Sequence, residues 1–257
     1  MKMLWFRETG AGYPVVLLHA FPLDSEMWLP QVRLGNSRFR FICPDLPGFG
    51  KNKHSENITS IEQMAHEVLY LLNQLRIDKA VIGGLSMGGY VTFNLYRLAP
   101  EKFSAILLFD TSPLPDNDER RKMRFELIDE INQRGTVVLI EKMLPNLISE
   151  STKLNNPPLV EWLKNKFAAA NSNGVIVALK AMANRGDHFY LLREIDKPAL
   201  LLFGEFDKVT NLEIAEKMSS EIPNSKLFKI PDAGHYSNLE NPHAFNHYLL
   251  SFLEEIL

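Results

Sequence analysis

The sequence predicts an α/β protein with a mostly parallel sheet, helices on both faces and an all-helical insertion. Short apolar runs alternate with helical patterns over residues 1–112 and again over residues 195–257. This alternation is typical of parallel strands covered by helices. Residues 113–194 instead show helical patterns and no convincing pair of strands. We therefore predict a core of residues 1–112 and 195–257, with residues 113–194 inserted as a helical lid.

The core elements follow from apolar spacing. Predicted strands cover residues 3–8, 15–19, 39–43, 80–84, 105–109, 199–203 and 226–230, and the continuous apolar run at 15–19 is typical of a strand covered on both faces. Helical spacing predicts core helices, which cover residues 24–31, 60–75, 90–98, 211–220 and 242–256. In the insertion, prolines and asparagine-rich breaks separate four predicted helices, at residues 118–134, 137–144, 158–170 and 175–183.

Composition excludes several classes of function. The net charge is −3, no stripe is rich in Lys or Arg, and the charge run at residues 116–124 mixes both signs. A nucleic-acid partner is therefore not expected, and we interpret that run as a solvated helix face. No Cys/His cluster or nucleotide-type glycine pattern indicates a metal or another cofactor. Without an apolar run near the roughly 18 residues of a membrane span, or a signal-peptide core, we expect a cytoplasmic protein. The single cysteine, Cys43, lies in a strand pattern and is interpreted as a buried hydrophobe.

A glycine-rich turn with a serine at its apex follows the predicted strand at residues 80–84. Gly84 and Gly88 flank Ser86, and a helical pattern follows. A sharp strand–turn–helix needs small residues beside the serine, because side chains there would collide with the turn. The serine hydroxyl is then exposed at the start of a helix, where free backbone N–H groups stabilise negative charge.

A serine hydroxyl needs a base and a group that orients that base. His235 follows a predicted strand and a small-residue turn, and Asp207 lies just past the strand that ends at Phe203. The order Ser86, Asp207, His235 matches that of serine hydrolases with this topology. We predict these residues as nucleophile, orienting acid and general base. The backbone N–H groups of Met87 and Phe21 are the predicted donors to the oxyanion.

Other residues compete for these roles. Asp110 ends the strand after the nucleophile helix and is an alternative acid. Asp232, three residues before His235, is a further competitor, although we interpret it as a turn cap. His19 ends a strand and is interpreted as a structural histidine that bonds its own loop. Asp207 is the preferred acid.

The chain resembles the lidded α/β-hydrolases related to carboxylesterases, cofactor-free haloperoxidases and 3-oxoadipate enol-lactonases. Nearly the whole chain shares the resemblance, which is carried by residues 16–22, 45–50, 84–89, 204–207 and 233–235. It implies an α/β-hydrolase fold and gives Ser86, Asp207, His235, Phe21 and Met87 the same roles. One departure is Ala20, where the family usually has glycine. If that position needs a positive φ, alanine costs about 1–2 kcal/mol or shifts the loop.

The expected reaction is hydrolysis of a small carboxylic ester through an acyl-enzyme on Ser86. Apolar side chains of the lid and loops suggest a small apolar acyl or alkyl group, and the candidate pocket residues besides Phe21 and Met87 are Trp28, Phe125, Met143, Leu147, Trp162 and Phe167. Packing between lid and core is the competing interpretation for each. The same triad suits a lactonase, a C–C bond hydrolase or a perhydrolase. An acyltransferase and a ligand receptor on a hydrolase scaffold also remain open, as do the natural substrate and the oligomeric state.

Overall fold

The computed structural model describes residues 2–55 and 57–257. Seven strands form one sheet, in the order β1-β3-β2-β4-β5-β6-β7. Their bounds are β1 (Phe6–Thr9), β2 (Tyr13–Leu18), β3 (Phe39–Pro44), β4 (Ala80–Leu85), β5 (Phe103–Phe109), β6 (Ala199–Gly204) and β7 (Ser225–Ile230). β1 pairs with β3 antiparallel, and the other neighbouring pairs are parallel. The carboxyl ends of six strands therefore meet at one edge of the sheet.

Helices cover the sheet and fill the insertion. The core helices are α1 (Leu29–Val32), α2 (Ile61–Gln74), α3 (Met87–Leu98), α10 (Leu212–Glu221), α11 (Ser237–Glu240) and α12 (Pro242–Ile256). Between β5 and β6 lie α4 (Asp118–Arg134), α5 (Val138–Lys142), α6 (Leu144–Leu147), α7 (Glu150–Asn155), α8 (Pro157–Ala169) and α9 (Ser172–Ala183). Short 3₁₀ segments cover Ser25–Trp28, Pro100–Lys102 and Phe189–Glu194.

Side-chain caps set the start of many of these helices. The Ser60 hydroxyl accepts a hydrogen bond from the Gln63 N–H at the start of α2. Asparagine side chains cap five other helices in the same way, namely Asn117, Asn156, Asn171, Asn211 and Asn241. Because a cap satisfies an N–H group that the helix leaves free, these residues fix where each helix begins.

The core sits on both faces of the central strands. Every residue of β4 and of β6 is buried. Within β4, a Cβ on Gly83 would lie 2.0 Å from the Leu107 carbonyl oxygen of β5, so the neighbouring strand leaves no room for a side chain there. The strand that leads to Ser86 is therefore tightly held.

The predicted α/β architecture is confirmed, with local differences. All seven predicted strands are present, although β1 begins at Phe6 and not at residue 3. The helix predicted over residues 137–144 is instead two short helices, α5 and α6, and Pro145 lies in the first turn of α6. α7 and α11 were not predicted, because segments of four to six residues are too short to show a helical period. Within the described ranges, we find no helix with the length and apolar character needed to cross a bilayer.

Candidate active site

Ser86 occupies a strained turn between β4 and α3. Its backbone has φ 54° and ψ −111°, a region that non-glycine residues rarely adopt. Two hydrogen bonds hold the turn: the Ser86 N–H donates to the Phe109 carbonyl at 3.0 Å, and the Thr111 hydroxyl donates to the Ser86 carbonyl at 2.8 Å. A Cβ on Gly88 would lie 2.1 Å from the Leu18 carbonyl oxygen. The glycine therefore lets helix α3 start directly against β2.

His235 lies between the other two predicted residues. Its Nε2 is 2.8 Å from Ser86 Oγ, and its Nδ1 is 2.8 Å from Asp207 Oδ2. The loop after β7 carries His235, whose backbone N–H donates to the Leu147 carbonyl of α6 at 3.1 Å. His235 is almost fully buried, with 1% of the residue exposed. Hydroxyl, imidazole and carboxylate thus form one continuous hydrogen-bonded chain.

Asp207 is fixed from several directions. Its Oδ1 accepts hydrogen bonds from the Val209 and Thr210 N–H groups at 2.7 and 3.1 Å. Its Oδ2 accepts from the Thr210 hydroxyl at 2.5 Å, besides facing His235. Burial acts to raise the pKa of Asp207, but the charge and hydrogen bond of His235 outweigh it, so the pKa lies below its usual value. The carboxylate therefore remains charged beside the imidazole.

The two competing aspartates make other contacts. Asp110 is completely buried and accepts hydrogen bonds from the Gly204 N–H at 2.7 Å and from the Ser237 hydroxyl. Burial, and then the nearby charge of Asp207, raise the pKa of Asp110 well above its usual value. Asp232 is exposed, and its carbonyl accepts from the Ser149 hydroxyl at 2.8 Å. Neither side chain reaches the imidazole of residue 235.

His19 is part of the loop that precedes Phe21. Its Nε2 accepts from the Leu46 N–H at 2.8 Å, and its Nδ1 lies 3.0 Å from the Ala20 carbonyl. These partners need a neutral ring with the proton on Nδ1, and burial lowers the pKa of His19 accordingly. Ala20 in this loop does not have a positive φ, so the backbone strain considered for alanine at this position does not arise.

The two predicted oxyanion donors lie on either side of the serine turn. Met87 is the first residue of α3, and Phe21 follows β2 in a loop joined to Pro22 by a cis peptide bond. Within the described part of the chain, neither N–H donates to a protein acceptor. The Phe21 carbonyl is held by the Tyr236 hydroxyl at 2.9 Å. Both N–H groups thus remain available to a bound molecule.

Ser86 and His235 line a cavity of about 540 Å³ between the sheet edge and the inserted helices. Met143 and Leu147, two of the predicted pocket residues, line it together with Phe21. Its other lining residues are Tyr90, Arg120, Met123, Arg124, Glu126, Leu127, Glu130, Lys142, Asn146, Leu179, Met182, Lys208 and Val209. The wall is therefore mixed, with apolar and charged side chains facing the same space.

Five predicted pocket residues do not line the cavity; one of them, Met87, is buried at the start of α3. The other four lie elsewhere. Trp28 packs in the core, with its ring 6.1 Å from Phe109 and 6.2 Å from Phe245. Phe167 is fully buried within α8, and Trp162 of the same helix is partly buried against the core and near Lys166. Phe125 is 38% exposed on α4. For these four, packing and surface exposure replace the expected role in the pocket.

The sequence missed the charged part of the cavity wall. Arg120 and Arg124 belong to the charge run that we interpreted as a solvated face, yet both line the cavity. The signal was weak because α4 has almost no separation of apolar and polar faces, so the sequence did not show which side turns inward.

The sequence profile of the alpha/beta hydrolase fold matches residues 13–242, most of the chain. The chain belongs to the α/β-hydrolase family. This agrees with the resemblance seen in the sequence, and it makes the protein a member of a family of hydrolases.

Solved structures and curated relatives show which members of the α/β-hydrolase family this chain resembles. A thermophilic esterase from Thermogutta terrifontis is 37% identical, with a TM-score of 0.95, over 98% of this chain and 93% of that one. 3-Oxoadipate enol-lactonase 2 of Acinetobacter baylyi is 27% identical over 91% of this chain and 85% of its own length. A 2-hydroxy-6-oxononadienedioate/2-hydroxy-6-oxononatrienedioate hydrolase of Paraburkholderia phymatum is 25% identical over 96% and 90%. The α/β-hydrolase relatives thus include an esterase, a lactonase and a further hydrolase.

Proposed function

We propose that the protein hydrolyses small carboxylic esters through an acyl-enzyme on Ser86. The observation that carries the proposal is the hydrogen-bonded chain from Ser86 through His235 to Asp207, with 2.8 Å at each step. In this assignment Ser86 is the nucleophile, His235 the general base and Asp207 the orienting acid. The likeness to a thermophilic esterase supports the same reaction class.

The geometry gives each proton a path. Ser86 Oγ attacks the ester carbonyl while His235 Nε2 takes its proton, and the charged Asp207 stabilises the imidazolium through Nδ1–H. When the tetrahedral intermediate collapses, the C–O bond to the alcohol breaks and His235 returns the proton to the leaving oxygen. Water then attacks the acyl-enzyme, with His235 again acting as the base. The products are a carboxylic acid and an alcohol.

The negative oxygen of each tetrahedral intermediate needs hydrogen-bond donors. We assign this role to the N–H groups of Met87 and Phe21, which have no protein acceptor within the described ranges. The start of α3 adds the positive end of a helix dipole at the same point. Losing one such donor typically lowers the rate on the order of 10²–10³-fold.

We further propose that residues 113–194 act as a lid. Side chains from α4, α5, α6 and α9 line the cavity above Ser86. A cover of this kind excludes bulk water and strengthens the electrostatic interactions within the site. The insertion would then select which esters reach the serine.

Replacing the nucleophile tests the ester-hydrolase proposal. Ser86→Ala should lower kcat for p-nitrophenyl butyrate by at least about 10⁴-fold, because no other group forms the acyl-enzyme. Ser104→Ala is the matched control: this β5 serine hydroxyl is buried and has no hydrogen-bond partner among the residues that the structure describes. Circular dichroism checks that both variants fold.

A covalent probe gives a second readout. A fluorophosphonate should add one adduct, mapped by mass spectrometry to Ser86. Turnover that survives in Ser86→Ala, or an adduct on another residue, would refute the assignment.

Lactone opening is a second candidate on the same triad. It is favoured by the likeness to an enol-lactonase over 91% of this chain. A lactone is a cyclic ester, so the same steps open its ring without releasing a separate alcohol. Comparing kcat/KM for a small lactone and its open-chain ester decides which substrate the cavity prefers.

A further inference from the structure

The cavity carries more positive than negative side chains. Four cationic residues line it, Arg120, Arg124, Lys142 and Lys208, against two carboxylates, Glu126 and Glu130. Lys142 faces Glu130 at 2.7 Å, and two other lining cations have acidic partners behind the wall, since Lys208 faces Glu150 at 3.6 Å and Arg124 pairs with Asp116. Glu126 faces Lys122 at 3.7 Å. The residues that line the cavity therefore carry two more positive than negative charges.

Arg124 is the lining cation that is held by a completely buried carboxylate. It pairs with Asp116, whose side chain is completely buried, while its own side chain is only 17% exposed. Burial acts to raise the pKa of Asp116, but hydrogen bonds and charge from Arg124, together with Arg185, outweigh it and lower the pKa. The carboxylate thus stays ionised and fixes the guanidinium at the cavity wall.

Asp116 is shared between two guanidinium groups. Arg185 Nη1 donates to Asp116 Oδ1 at 2.6 Å and to the Met182 carbonyl at 2.9 Å, and its Nε donates to the Leu114 carbonyl at 3.1 Å. Arg185 also lies over the Tyr90 ring, with Cζ 4.2 Å from its centroid. The cluster therefore holds two positive charges and one negative charge, and Arg185 has well-matched neutral partners as well.

Arg124 lacks such partners on its cavity side. Within the described ranges, its Nη1 donates only to the Met182 sulfur at 3.6 Å, a weak acceptor. Met182 itself lines the cavity. A largely buried guanidinium that has N–H groups without a strong acceptor in the described part of the chain favours a charged acceptor, and carboxylates match its planar geometry.

We propose that Arg124 is a specificity-determining residue that binds a carboxylate on the substrate, remote from the carbonyl that Ser86 attacks. This inference rests on the proposed ester hydrolysis and names its substrate class, an ester with a free carboxylate at one end. It differs from the small apolar acyl or alkyl group expected from the sequence. Asp116 acts as a positioning residue, because it holds the guanidinium without contacting the substrate.

Two matched pairs of esters test the proposal. The first pair, mono-p-nitrophenyl adipate and p-nitrophenyl heptanoate, places the carboxylate on the acyl side. The second pair, 3-(4-acetoxyphenyl)propionate and 4-butylphenyl acetate, places the free carboxylate on the alcohol side. The measured quantity is kcat/KM for the carboxylate ester divided by kcat/KM for its neutral partner. In at least one pair, Arg124→Met should lower this ratio by about 10- to 100-fold, the range for a charge-assisted hydrogen bond.

Two further variants separate a specific role from a general loss of charge. Arg124→Lys should recover part of the ratio, because it keeps the charge and loses the planar fork. Arg121→Met removes an exposed cation of the same helix that does not line the cavity, and it should leave the ratio unchanged. The proposal is overturned if Arg124→Met keeps both ratios within about threefold of the native values, or if Arg121→Met shifts them equally.

If Arg124→Met does not fold, the native enzyme supplies the test. Its ratio should fall steadily as NaCl rises to 1 M, since salt screens a partly exposed ion pair. A ratio that does not respond to salt contradicts the proposal.

A binding experiment separates failure of this inference from failure of the proposed function. Native enzyme that hydrolyses none of the four esters refutes ester hydrolysis. Calorimetric titration with disodium adipate then tests Arg124 alone: binding should persist in Arg121→Met and weaken at least about tenfold in Arg124→Met. Equal affinities in the two variants would overturn the carboxylate site.

Discussion

The sheet edge and the inserted helices are built in different ways. At the sheet edge, Asp207 and His235 are buried and joined to each other and to their neighbours by short hydrogen bonds. In the insertion, α4 buries only Ile128 and Ile131 of its 17 residues. Under the proposed function, this contrast is a division of roles: the core fixes the proposed reacting groups, and α4 selects the substrate. Exposed helices tolerate substitution more readily than a buried hydrogen-bonded chain.

The largest effect should follow from breaking the chain at the sheet edge. Asp207→Asn should lower kcat by about 10³–10⁴-fold for every ester, because an amide no longer stabilises the imidazolium or fixes its tautomer. Steady-state kinetics on neutral and carboxylate-bearing esters measures this. The exposed Asp232, changed to Asn, is the control and should retain native kcat. A loss confined to one class of ester would contradict the division of roles.

A smaller effect should come from the support of the same carboxylate. Thr210→Val removes the hydroxyl that donates to Asp207 Oδ2 at 2.5 Å but keeps the backbone N–H bond. A hydrogen bond to a charged group is worth about 1.5 kcal/mol or more, so kcat should fall about tenfold with little change in KM. Thr210→Ser retains the hydroxyl and should recover most of the rate. Identical kinetics for the Val and Ser variants would show that this hydroxyl does not matter.

The junction between insertion and core should respond differently. A Cβ on Gly174 of α9 would lie 2.1 Å from the Gly48 carbonyl oxygen of the core. Gly174→Ala should lower the free energy of unfolding by about 1–3 kcal/mol and raise KM more than it lowers kcat, because it moves the cover and leaves the sheet edge intact. Thermal unfolding and ester kinetics measure both quantities. Gly186→Ala is the control, because apart from the adjoining residues no described atom lies within 4 Å of the added Cβ. A dominant loss of kcat would mean that the junction also holds the reacting groups.

The smallest kinetic effect is expected at Asp110. An asparagine can accept from the Gly204 N–H and donate to the Ser237 hydroxyl, so Asp110→Asn should keep kcat within about threefold. A loss as large as that of Asp207→Asn would mean that Asp110 is the partner of His235.

Stability should show a pH dependence at the same residue. The pKa of Asp110 is raised in the folded state, chiefly by burial. Native stability contributed by this group is therefore lost as pH rises from its unfolded pKa, about 3.9, through the folded pKa. Asparagine does not titrate, so the Tm of Asp110→Asn relative to the native protein should increase over that interval. A Tm difference independent of pH would contradict the raised pKa.

The sequence predicted the architecture, and the elements that bring Ser86, Asp207 and His235 together, better than the cavity wall. Glycines around Ser86 and the turns before Asp207 and His235 are local signals, and the parallel topology brings strand ends together whatever their separation in sequence. The structure places these three side chains in one hydrogen-bonded chain.

The cavity wall depends on tertiary packing that local patterns do not encode. Trp28 follows a loop near the site, but its ring turns into the core between Phe109 and Phe245. Arg124 sits in a helix whose weak amphipathicity leaves its inward face undefined. The orientation of a short or evenly charged helix depends on the elements that it packs against. Local sequence patterns therefore do not show which face of such a helix turns inward.

Tyr236 links two parts of the site that are far apart in the chain. Its hydroxyl donates to the Phe21 carbonyl at 2.9 Å, and burial raises the pKa of Tyr236 so that the hydroxyl keeps its proton. Tyr236, the residue next to His235, thus holds by a hydrogen bond the loop of Phe21, whose N–H we assign as a donor to the oxyanion. In the proposed mechanism, proton transfer and charge stabilisation would consequently depend on one connected pair of loops. A displacement of either loop would then disturb both functions, so substitutions in one loop are constrained by the other.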